Sequence, residues 1–99
     1  MTRLYAIMSM DKKGAKEGRT ATRPKHKEYV QTIAHRIHDA GAILDADGNV
    51  ISTMLIISAE SQQEAEEIAG RDPYVAADIF ANRTVGPLRM SHRDGKALT

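Results

Sequence analysis

Two short segments of this chain carry residues able to move a proton: Thr22-Arg23-Pro24-Lys25-His26 and Gly70-Arg71-Asp72-Pro73-Tyr74. A histidine and an aspartate that meet across a cleft make a general base and its orienting group, because the carboxylate fixes the imidazole tautomer and stabilises the imidazolium. His26 and Asp72 are the candidates for that pair. Each also has a plain structural explanation. His26 reads equally as a half-buried histidine hydrogen-bonded for structure. Asp72 before Pro73 is a standard helix cap, worth about 1 kcal/mol, with proline in the first turn. The two roles of Asp72 are compatible, since one carboxylate oxygen can cap while the other faces His26. Arg23, three residues before His26, is a candidate clamp for a carboxylate or phenolate. Tyr74 is a candidate hydrogen-bond donor to a ligand, or a packing residue.

These residues must be placed by a small scaffold. Leu4 to Met8 reads as a strand with apolar residues on both faces, and residues 9–22 as a polar, lysine- and glycine-rich loop. Pro24 fits the first turn of a helix, putting His26 at that helix's N-terminus on one stripe with Val30, Ile33, Ile37 and Ala40, stopped by Gly41. A short strand at 42–44, an Asp47-Gly48 hairpin turn and a long β-branched strand at 50–58 follow. Ser61-Gln62-Gln63-Glu64 is a capping box opening a second helix that closes at Gly70. A helical turn from Asp72 to about Phe80 and a last strand at 84–90 complete the chain, with Pro87 placing that strand at a sheet edge. The order β-α-β-β-α-β is the split βαβ of ferredoxin-like α+β folds: a four-stranded antiparallel sheet with two helices on one face. Residues 1–90 then form a single domain, and 91–99 a polar tail, frayed or laid across a partner subunit. Because the first and third strands are apolar on both faces, the face away from the helices predicts a homodimer with two sheets packed together.

Composition removes several function classes. Among the 99 residues, apolar types make up 41% and charged types 27%, the balance of a globular domain. The net charge of +1 gives no global field for nucleic acid or anionic lipid. RNA-recognition domains share this strand order but stack bases on strand aromatics, and here residues 50–58 contain none. There is no cysteine, hence no disulfide, thiolate metal site or cysteine nucleophile. His35 and His38 are three apart, but nothing completes a metal site, and they read as surface residues. No run is long enough for a signal peptide or membrane span, and a cytoplasmic location is the expectation. No phosphate-binding glycine loop, nucleophile elbow or dinucleotide fingerprint is present. Between Asp11 and Glu28, seven basic residues face three acidic ones; this excess either draws an anionic substrate towards His26 or forms a solvated loop.

The succession Arg23-Pro24-Lys25-His26, Ala40-Gly41, Ser61-x-x-Glu64-Ala65, Asp72-Pro73-Tyr74 and Pro87 resembles the YCII-related (YciI-like) family of the dimeric α/β-barrel group, over roughly residues 3–90. The resemblance implies a ferredoxin-like protomer, a homodimer, and an active site whose histidine and aspartate map onto His26 and Asp72. It implies cofactor-free proton-transfer chemistry of the lyase or isomerase kind, the family's best-attested reaction being dehydrochlorination of a chlorinated hydroxyquinol. The chain departs from the family pattern at Asp45-Ala46-Asp47, where Gly-Pro is usual. The rival readings are a non-catalytic module that binds a small ligand or a protein in the same cleft, and oxygen-dependent oxidation of an electron-rich aromatic.

Overall fold

The computed structural model describes residues 2–98. Its elements are strand β1 (Arg3–Asp11), helix α1 (Lys16–Ile33) with a 3-10 turn (Ala34–Arg36), β2 (Ile37–Leu44), β3 (Val50–Ala59), α2 (Gln62–Gly70), the one-turn helix α3 (Pro73–Ala76), β4 (Phe80–Pro87), and two short strands, β5 (His92–Arg93) and β6 (Lys96–Ala97). The main sheet is antiparallel in the order β2-β3-β1-β4. The apolar strands β1 and β3 are thus central, and Pro87 lies on edge strand β4, where its missing N–H breaks no inner ladder. The fold is the ferredoxin-like α+β arrangement that the order of elements predicts.

The side chains that alternate along a strand divide between the two faces. Tyr5 and Ile7 of β1 and Ile57 and Ala59 of β3 are buried beneath the helices with Ala65, Ile68 and Ala69 of α2. Leu4, Ala6 and Met8, paired with Ser58, Ile56 and Met54, point to the other face, which no helix covers. Met10 and Ile43, at that face's end, are half exposed.

The largest departure from the sequence reading is the first helix. Its start is not Pro24 but Lys16, so residues 9–22 split between the end of β1, a turn and two helical turns rather than forming a loop. Pro24 lies inside α1, where it cannot donate to the carbonyl four residues back and costs about 3 kcal/mol against a good helix former. The helix tolerates this because its inward stripe is continuous. Ala15, Arg19, Thr22, His26, Tyr29, Val30 and Ile33 are the partly buried positions, three or four apart throughout. Gly18 belongs to the same packing: a Cβ there would lie 2.9 Å from the Cδ1 atom of Ile79, itself buried. The helix also ends early. Ile37 begins β2, and Ala40 and Gly41 are strand residues rather than a helix terminus. Residues 37–44 pair with β3 instead, adding strand to the sheet at the expense of the last expected helical turn.

Elsewhere the local signals act as expected. Gly48 turns the β2–β3 hairpin at φ 84°, a conformation open to glycine at little cost. Ser61 caps α2 by accepting from the Glu64 amide at 3.1 Å, and the Glu64 carboxylate reaches back to the Glu60 amide at 3.1 Å. β4 begins at Phe80, four residues before the expected start, because α3 is only one turn long. Residues 91–98, read as a polar tail, contain the β5–β6 hairpin, turned at Asp94 and Gly95 with positive φ.

Candidate functional site

α1 carries the histidine and α3 the aspartate, and α1 packs on α3 more closely than on the sheet. This crossing brings the two predicted residues together. The Nδ1 atom of His26 lies 2.9 Å from Oδ1 and 3.0 Å from Oδ2 of Asp72. Asp72 also caps α3: its Oδ1 accepts the Tyr74 amide at 2.9 Å. Capping and pairing therefore coexist in one carboxylate. An ionised carboxylate only accepts, so against ionised Asp72 the Nδ1 atom is the donor, and in a neutral ring Nε2 then keeps its lone pair. His26 is ten residues inside α1 rather than at its N-terminus, beyond the first turn over which the helix dipole acts. The two side chains are 22% and 14% exposed, open enough for a ligand and dry enough for the pair to matter.

Tyr74 is almost fully buried. Its ring stacks on the His26 imidazole, with centroids 4.3 Å apart and planes at 22°, and meets Phe80 edge-on at 5.9 Å. Burial pushes the phenol above its ordinary range, partly offset by the guanidinium groups of Arg19 and Arg23. It is a neutral ring supporting the imidazole at physiological pH.

Arg19, one of the seven basic residues of its segment and not among the candidates that the sequence marks out, is the best-anchored cation of the site. Its Nε and Nη2 donate to the two oxygens of Asp11 at 2.6 and 2.7 Å, the bidentate geometry of a strong pair. Its Cζ sits 4.5 Å from the Tyr74 ring centroid. The hydrogen bonds to Asp11 hold the guanidinium even more firmly protonated. A signal for it exists in the sequence: Arg19 is seven residues before His26, two turns earlier on the same stripe. Extending that stripe through Pro24 would have found it. Tyr29, on the same stripe, donates to the Ile68 carbonyl at 2.5 Å and ties α1 to α2.

Arg19, His26 and Tyr74 line one wall of an open cleft of about 710 Å³ between α1 and the β2–β3 half of the sheet, within the range of small-molecule sites. The α1 wall presents Arg23 beside His26, flanked by Lys16 and Lys27; the facing wall is small and uncharged, with Ala40, Ala42 and Thr53. Arg23 lines the cleft, exposed and one turn from His26. A second, enclosed cavity of about 20 Å³ lies deeper, between α1 and the sheet, and has room for no more than a water. His35 and His38, expected on one helix, separate into the 3-10 turn and β2, where His38 Nε2 bonds Ser58 Oγ at 2.5 Å.

The profile of the YCII-related domain matches residues 3–89. The chain belongs to the YCII-related family. Protein YciI of Escherichia coli O6:H1 and that of Shigella flexneri are each 32% identical over 98 residues, covering 87% of this chain and 96% of the relative. Among solved structures, 5-chloro-2-hydroxyhydroquinone dehydrochlorinase (TftG) from Burkholderia phenoliruptrix AC1100, in complex with 2,5-dihydroxybenzoquinone, superposes with a TM-score of 0.81 at 26% identity, covering 87% of this chain and 93% of that one. Ribosomal protein S6 of Thermotoga maritima, at a TM-score of 0.57 and 13% identity over 89% of each chain, shares the ferredoxin-like fold alone.

Proposed function

We propose that this YCII-related protein is a small enzyme that transfers a proton on a compact, anionic organic substrate, as a lyase or isomerase does. One observation carries the reading: His26 holds Asp72 through Nδ1 at 2.9 Å while its ring lines a ligand-sized cleft. Nε2 is then the nitrogen left to take a proton from a substrate C–H or O–H. Asp72 stabilises the imidazolium that forms, and the electron pair left on the substrate either expels a leaving group or is reprotonated elsewhere by His26. Such a base contributes roughly 10²–10⁴-fold, and orientation in the cleft supplies more. Arg23, with Lys16 and Lys27, receives the anion; the phenol of Tyr74 supports the base. The chemistry uses side chains of the chain itself and calls on no cofactor. The likeness to TftG, a dehydrochlorinase, supports elimination as the reaction type without extending its chlorinated substrate to this chain.

We also propose a homodimer through the uncovered sheet face, on the strength of the row Leu4, Ala6, Met8, Met54 and Ile56. The family match ends at residue 89, and the β5–β6 hairpin is read as an appendage of a domain spanning residues 1–90. Among the described residues no helix is long and apolar enough to cross a membrane.

The test is deuterium exchange. Small organic acids bearing an exchangeable C–H next to a carbonyl or phenol are incubated with the protein in D₂O. Wild type incorporates deuterium into at least one of them, and folded His26→Asn does not. Binding that survives His26→Asn, with no exchange in wild type, would instead make the cleft a ligand-binding module.

A further inference from the structure

The geometry points to Arg19, held by Asp11, as a positioning residue for the candidate base: it clamps the Tyr74 ring from the face opposite His26 and so fixes the imidazole in the cleft. The inference rests on the reading of His26 as base, but none of its observations depends on turnover. Both groups lie close to one ring, His26 at 4.3 Å and Arg19 at 4.5 Å from its centroid. Opposite faces of the ring accommodate both groups at these distances. Their positions on α1 explain how they flank the ring: seven residues are two turns, about 10.5 Å of rise, which leaves room for a ring inserted between them. Asp11, Arg19, Tyr74, His26 and Asp72 therefore form one continuous stack, with a carboxylate anchoring each end.

Arg19 suits this task better than ligand binding. Two of its nitrogens are engaged by Asp11, and its Cζ lies 4.5 Å from the centroid of the phenol ring. Its side chain and that of Asp11 are 13% and 7% exposed, so the pair is shielded from competing water and salt. A lysine offers neither the planar face nor the two-pronged hydrogen bonding. Arg23, Lys16 and Lys27 line the cleft wall together with Arg19 and supply the charge that meets a ligand. Asp11 ends β1 where the register on β4 shifts: Met10 and Asp11 face Asn82 and Phe80, so the extra residue is Ala81 of β4. β1, α1 and α3 are thereby joined at the imidazole.

Solution NMR of the whole chain tests this. In wild type the His26 ring protons lie over the Tyr74 face and resonate upfield, and Tyr74 ring flips are slow. Arg19→Met alone would strand the Asp11 carboxylate, so the main variant is Asp11→Asn/Arg19→Met, which removes both charges together. In it the His26 signals move downfield and Tyr74 flips accelerate by about tenfold or more, the equivalent of one desolvated cation–π contact. Arg19→Lys does not restore either signal. Unchanged His26 shifts and flip rates in the folded double variant overturn the proposal, as does full restoration by lysine. Should the double variant fail to fold, Asp11→Asn, which releases Arg19 without removing it, must shift the same signals in the same direction, and no shift there overturns the proposal equally. A failure of the His26–Asp72 pairing shows instead in the imidazole tautomer and leaves the stacking signals intact, so the two readings fail separately.

Discussion

Asp72 does two jobs, and two substitutions separate them. One of its oxygens accepts the Tyr74 amide at 2.9 Å, and both lie within 3.0 Å of His26 Nδ1. Asparagine caps helices about as well as aspartate, so Asp72→Asn keeps the first job. It loses the charge-assisted bond to His26 and keeps a neutral one, a difference of roughly 1 kcal/mol for such bonds. The side chains, 22% and 14% exposed, are dry enough for that value to hold. Asp72→Ala loses the cap, about 1 kcal/mol, and the whole of the His26 bond, so the total is roughly 2–3 kcal/mol. Urea unfolding at one protein concentration measures both, the fixed concentration removing any contribution from self-association. The order expected is wild type, then Asn, then Ala, in steps of about 1 kcal/mol or slightly more. Equal losses in Asn and Ala would show that the cap contributes nothing. No loss in Asn would show that the His26 contact lacks ionic character, and the reasoning about the base would fall with it.

The remaining predictions concern pH and assembly. The Glu60 amide and Arg36 hold the Glu64 carboxyl below its ordinary 4.5, so its stabilising effect is present above 4.5 and is lost as pH falls through the lower native value. Acid unfolding of Glu64→Gln is therefore expected to start from a lower stability and fall less steeply below pH 4.5. Burial pushes the phenols of Tyr29 and Tyr74 above their ordinary 10.0. Stability is full below pH 10.0 and declines as pH rises towards the native values; a phenolate absorbance titration sees these two rings ionise above 10.0, and Tyr74→Phe reduces the decline. Met54→Asp, on the uncovered sheet face, is expected to give a folded monomer in sedimentation experiments where wild type sediments as a dimer; a wild-type monomer would dismiss that interface.

What the sequence disclosed depended on how local each signal was. Ser61 and Glu64, Asp47-Gly48 and Asp72-Pro73 act over a few residues, and each produced the cap or turn expected of it. Apolar residues on both faces of β1 and β3, and the lack of proline in them, point to the sheet's centre, where the structure has them. The first helix was misplaced at both ends because Pro24 is a strong local signal for a helix start, while what holds α1 is its tertiary contact with α3 and Ile79. Reading Pro24 as a boundary also hid Arg19, on the same stripe as His26 but beyond the proline. The meeting of His26 and Asp72 was legible as residue types bracketing a fold of known order. The stack with Tyr74, and the anchoring of Arg19 by Asp11, depend on how α1 crosses α3, which no spacing along the chain encodes.

The tautomer of His26 decides the central claim. Imidazole ¹⁵N chemical shifts, recorded at a pH where the ring is neutral, distinguish a proton on Nδ1 from one on Nε2. Wild type is expected to carry it on Nδ1, directed at Asp72, with the bare Nε2 facing the cleft. Asp72→Asn, whose amide can donate to Nδ1, is expected to move the proton to Nε2. An Nε2–H ring in wild type, unaltered by Asp72→Asn, would contradict a base oriented by Asp72 and leave Asp72 as a helix cap.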